Sequence, residues 1–163
     1  MMQPSTLRKE FIADHQEMIR GLARLVAALS EGDGRAAAKI ADEIDVVVGP
    51  HIQFEEEVYY PQLRMEMGDE PVDRFYEEHA EGLEAVRGLL ALGPDHHYSS
   101  EELTTLLREA ETALRHAESC GRMLSHLTVL PAERQSELLS RLRGFRRAGV
   151  RWTACGRRSE LRR

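Results

Sequence analysis

The chain has 163 residues, 42% hydrophobic and 31% charged, with a formal net charge of −6. That length and balance fit one domain that buries a core without disulfide staples, and they exclude a disordered chain. No apolar run approaches the roughly 18 residues that a membrane span requires.

Apolar residues recur at helical spacing along nearly the whole chain, and no stretch alternates as a half-buried strand would. The first helix is expected from about Thr6 to Ser30, with Leu7, Phe11, His15, Met18, Leu22, Leu25 and Leu29 on one face. Glu31-Gly32-Asp33-Gly34 ends it. The second is expected from about Arg35 to Met67 with Ile40, Ile44, Val47, His51, Glu55 and Val58 as its stripe, and a kink or break near Pro50, which removes a backbone donor. The third runs from about Pro71 to Leu92, with Val72, Phe75, Tyr76, His79, Leu83, Val86 and Leu90 on one face. Ser99 with Glu102 reads as a capping box opening a fourth helix, expected to reach about Leu127 and to carry Leu106, Ala113, His116 and Cys120. Pro131 begins a shorter fifth helix to about Phe145. Short turns between long helices specify an all-α, up-down-up-down four-helix bundle with a short C-terminal helix and a basic tail.

Charge is unevenly placed. Residues 1–140 carry 13 basic and 27 acidic side chains, whereas residues 141–163 carry nine arginines and the single Glu160. The body repels polyanions, while the tail could attract a polyanion or an acidic protein surface. Two cysteines, Cys120 and Cys155, make no disulfide framework, and MMQPSTLRKEF contains no continuous apolar leader, so the expected location is the cytoplasm.

Four of the seven histidines fall one per helix inside an apolar stripe: His15, His51, His79 and His116. An imidazole buried without a partner costs about 1–3 kcal/mol, and a metal satisfies all four together. His15 precedes His51 by 36 residues, and His79 precedes His116 by 37, so the chain reads as two helical hairpins of one design. Glu55 follows His51 at i+4, one turn along the same face, and Cys120 holds that position after His116. Glu56, Glu57, Glu77 and Glu78 read as solvated faces, and Tyr59 as the aromatic nearest the Glu55 turn.

These residues resemble the hemerythrin-like proteins of the HHE cation-binding class, whose pattern is His … His-x3-Glu … His … His-x3-Glu. The resemblance rests on Asp14-His15, on the run from His51 through Glu55 to Pro61, on Glu78-His79 and on His116, and its second His-x3-Glu is degenerate. It implies a bundle over residues 5–145, with an arginine-rich tail over 146–163 for which disorder is one reading. It implies a di-iron centre, with zinc or manganese as alternatives: His15 and His51 on one metal, His79 and His116 on the other, Glu55 bridging, and Cys120 a further candidate ligand. Oxygen-carrying members place another histidine where Leu83 stands, and a second bridging carboxylate near Cys120. The implied function is therefore binding or sensing of dioxygen, peroxide or nitric oxide, with peroxide decomposition as the enzymatic possibility and no residue assigned a catalytic role. The competing readings are a regulatory module acting through its basic tail with a decayed metal site, and a mononuclear site using Cys120.

Overall fold

The computed structural model describes residues 6–156, which are mostly helical and contain no strand. Helix α1 spans Leu7–Ser30; Thr6 caps it by accepting from Lys9 N at 3.2 Å. A turn through Gly32 (φ 75°) leads to α2, Gly34–Phe54, capped by Asp33. A π-helical turn, Glu55–Tyr59, joins α2 to α3, Tyr60–Met67. Helix α4 spans Asp69–Leu92, and α5, Ser100–Cys120, opens with the reciprocal Ser99/Glu102 capping box that the sequence specifies. A 3₁₀ turn at Gly121–Leu124 and the short α6, Ser125–Thr128, lead to α7, Ala132–Ala148, and α8, Trp152–Cys155.

Helices α1, α2, α4 and α5 pack in a closed ring of neighbours, the expected four-helix bundle. Its interior is two apolar clusters. One includes Met18, Leu22, Val48, Ile52, Leu83, Ala113 and Ala117; the other includes Phe11, Phe54, Tyr59, Tyr60, Tyr76 and Leu124. On α1 and α4 the side chains change cluster at the histidine: Phe11 and Met18 flank His15, and Tyr76 and Leu83 flank His79; on α2 the change falls between Ile52 and Phe54, and on α5 Ala113 and Ala117 on either side of His116 both belong to the first cluster. The four histidines thus form a polar layer sealed at both ends.

Three expectations about local structure are corrected. No break accompanies Pro50, since α2 is continuous across it. The irregularity falls instead at Glu55–Tyr59, where Tyr60 N–H bonds the Glu55 carbonyl five residues back. Pro61 explains this: it cannot donate to the Glu57 carbonyl, and the turn ahead of it widens. The fourth helix ends at Cys120 rather than Leu127, because Gly121 is a poor helix former and the chain tightens there into the 3₁₀ turn.

The tail is the third correction, as far as it is described. Helix α7 continues to Ala148, ended by Gly149 at φ 60°, and residues 150–156 fold back on α2. Trp152, 2% exposed, enters the first apolar cluster. Buried Asp45 accepts from Thr153 N at 2.8 Å and from Thr153 Oγ1 at 3.0 Å, and pairs with Arg151 at 3.2 Å. Gly49 permits the approach, since a Cβ there would stand 2.1 Å from the Val150 carbonyl oxygen. Residues 157–163 lie outside the described residues. Arg143 and Arg146 pair with Glu10, and Arg151 also pairs with Asp42, so the acidic body itself takes up three of the nine arginines of residues 141–163.

Candidate metal centre

Glu55 is the middle of the polar layer and is 0% exposed. The i+4 spacing from His51 sets its carboxylate one turn beyond that ring, with His51 Nε2 3.1 Å from Glu55 Oε1. The same oxygen is 3.5 Å from His15 Nε2. The other oxygen, Oε2, is 3.2 Å from His79 Nε2, and Glu55, His79 and His116 together offer donor atoms lying within 4.8 Å of one another. The two histidine pairs are built alike: the His15 and His51 rings meet edge-on with centroids 4.5 Å apart, as do those of His79 and His116.

Three of the four imidazoles are held from behind by carboxylates. Asp14 accepts from His51 Nδ1 at 3.2 Å, Glu56 from His79 Nδ1 at 3.0 Å, and Glu78 from His116 Nδ1. A carboxylate at Nδ1 fixes a proton there and turns Nε2 inward. The acid that neighbours one histidine in sequence serves the partner helix: Asp14 stands beside His15 but holds His51, and Glu78 stands beside His79 but holds His116. His15 has no such support; neither ring nitrogen makes a hydrogen bond, and its ring stacks on Phe11 at 4.5 Å.

Cys120, the sequence's further candidate, is also here. Its thiol donates to Glu55 Oε1 at 3.4 Å, and His15, Glu55 and Cys120 form a second group of donors within 4.8 Å of one another. Sequence reasoning missed three contributors. Glu56 and Glu78, expected on solvated faces, are the partners of His79 and His116. Tyr60, not Tyr59, meets the carboxylate: its hydroxyl donates to Glu55 Oε2 at 3.1 Å and lies 3.0 Å from His79 Nε2 and 3.1 Å from His116 Nε2. The π turn is the cause, since five residues per hydrogen-bonded turn bring Glu55 and Tyr60 to one face. Pro61 was the signal for it.

Electrostatics follow from this packing. Burial works against the charged form of His51, but Glu55 and Asp14 overcome it and raise the group to about 9. His79 is likewise disfavoured by burial and raised to about 9 by Glu55 and Glu56. Burial and the neighbouring His51 lower His15 to about 4, and burial with His79 lowers His116. Burial opposes Glu55's charge, yet His51 and His79 hold its carboxyl well below the ordinary range. Burial and Glu55 push the Cys120 thiol well above its usual value.

The donor set fits a metal. Buried imidazole nitrogens and a carboxylate suit iron, manganese or zinc. The unpartnered nitrogens of His15 are the particular observation: a buried neutral ring with a free lone pair beside a carboxylate gains its missing partner when a cation lies between them. No helix among the described residues is long and apolar enough to cross a membrane. Residues 6–118 match the family model of the hemerythrin HHE cation-binding domain. No curated protein and no solved structure matches the chain.

Proposed function

The chain belongs to the hemerythrin HHE cation-binding family, and from that premise we propose that it is a non-haem di-iron protein that binds or senses dioxygen, peroxide or nitric oxide. One observation carries the reading: the two oxygens of Glu55 face different histidine pairs, Oε1 toward His15 and His51, Oε2 toward His79. A carboxylate so divided suits a bridge between two metals. In this reading His15, His51 and Glu55 hold one iron, and Glu55, His79 and His116 hold the other, with Cys120 beside the first. Iron supplies redox exchange and open coordination positions for a small ligand.

The chain's own groups prepare that chemistry. Asp14, Glu56 and Glu78 keep the rings oriented with Nε2 inward. Phe11 and Phe54 close one end of the layer against water. Leu83 fills the position of the extra histidine of oxygen carriers and is buried, so it adds no donor. A less saturated pair favours sensing or redox turnover, peroxide decomposition included, over storage.

Metal analysis after anaerobic purification tests the proposal. Two irons per chain with the Mössbauer signature of a coupled pair support it. One metal per chain supports the mononuclear site at His15, Glu55 and Cys120, and none supports the regulatory module with a decayed site.

A further inference from the structure

The histidine layer is closed to solvent. His15, His51, His79 and His116 are at most 5% exposed, so a small ligand reaches a metal there only through an opening in the bundle wall. One part of that wall is not a long helix. Residues 150–156, which include the four-residue α8, lie against α2 and α4 and set the Trp152 indole into the first apolar cluster.

Glycines shape the seat of the indole. A Cβ on Gly49 would stand 2.7 Å from Trp152 N, and one on Gly82 would stand 3.3 Å from the indole Cη2 and 2.6 Å from Ala113 Cβ. Gly82 follows His79 by three residues, and Ala113 precedes His116 by three. The tip of the indole therefore ends about one helical turn from both rings of the second pair.

The docked state is also built to open. Trp152 is 2% exposed, yet its Nε1–H has no hydrogen-bond partner. A buried donor left unpaired penalises docking, and water solvates it as soon as the segment lifts. The polar attachment centres on Asp45, which accepts from Thr153 N, Thr153 Oγ1 and Arg151. A short segment held at so few points opens more readily than bundle helices of more than twenty residues. We propose that residues 150–156 are a strap whose Trp152 plugs a port into the metal layer, and that lifting of the strap sets the rate at which small ligands reach the second metal. This rests on the di-metal reading above. A plug slows entry and exit alike, so loosening it raises both rates and leaves affinity at the metal unchanged.

Trp152 is the sole tryptophan, so its fluorescence reports the strap with or without metal. The test pairs acrylamide quenching of that fluorescence with stopped-flow binding of azide to the full-length iron-loaded protein. Thr153→Val removes one hydrogen bond to Asp45 and should raise quenching and both azide rates about 2–10-fold, with azide affinity unchanged. Asp45→Ala removes the whole clip and should raise them further. Trp152→Gly should bind azide fastest, and added indole should refill the seat and slow it towards wild type. Azide rates unchanged in Thr153→Val, a substitution at a partly exposed residue, overturn the proposal whether or not the other variants fold. A change confined to one of the two rates overturns it as well. Wild type that takes up no iron defeats the di-iron reading itself, which separates that failure from this one.

Discussion

Arg146 donates to Asp14 Oδ2 at 2.7 Å. That same oxygen accepts from His51 Nδ1 at 3.2 Å, so a helix beyond the matched domain reaches the ring of a candidate ligand through one carboxylate. Burial opposes Asp14's charge, but His51 and Arg146 together hold its carboxyl below the usual value. Asp14→Ala should weaken the first metal about 10–100-fold, the usual cost of losing a carboxylate that orients a ligating histidine. Arg146→Ala acts one step further out on a partly exposed pair and should cost about 1 kcal/mol of stability or less. Competition titration against a chelator and denaturant melts measure the two effects. Unchanged metal affinity in Asp14→Ala would defeat the positioning role.

Glu56 is 4% exposed and is therefore unlike its neighbour Glu57, which is only partly buried. Glu56→Ala should release His79 Nδ1 and lower affinity for the second metal about 10–100-fold. Glu77→Ala, on the exposed face of α4, should change neither affinity nor fold. Metal content after dialysis distinguishes the two variants, and equal retention would place Glu56 outside the centre's support.

The apoprotein and the loaded protein should respond to pH in opposite directions. His51 and His79 titrate near 9 when folded and near 6.5 when unfolded, so their stabilisation is complete below about 6.5 and is lost as pH rises through about 9. Metal must displace those protons, so its affinity should rise with pH up to about 9 and then level. His15 behaves inversely: lowered to about 4, it stays neutral in the fold while the unfolded chain takes a proton below about 6.5. Apoprotein stability should therefore lose the His15 contribution as pH falls from about 6.5 to about 4. Denaturant melts with and without metal across this range check the signs, and parallel slopes would contradict the assignment.

Trp152 anchors the C-terminal segment in the bundle core. Trp152→Ala should cost about 3–5 kcal/mol, the range for emptying a large core site. Truncation after Ala148 removes this anchor and the Thr153 cap on Asp45, so it should destabilise at least as much while leaving metal stoichiometry unchanged. Thermal melts and metal analysis of the truncated chain report the two quantities separately.

Local patterning was enough to read the helices and their histidines from the sequence. Apolar spacing marks one face per helix, Ser99 with Glu102 marks a helix start, and the 36- and 37-residue spacings mark two hairpins carrying a histidine on each arm. Each of these signals lies within a few turns of one helix or in a count along the chain. The partners of the histidines were decided only by tertiary structure. Glu56 and Glu78 read as solvated faces because the rings they hold belong to the neighbouring helix, and no periodicity encodes which helix that is. Tyr60 replaced Tyr59 because Pro61 widened one turn and rotated everything after it relative to Glu55. The arginine-rich segment changed for the same reason: the side chains of Trp152 and Thr153 are held by Asp45 and Gly49, more than a hundred residues earlier, and by a core that also draws on α4 and α5.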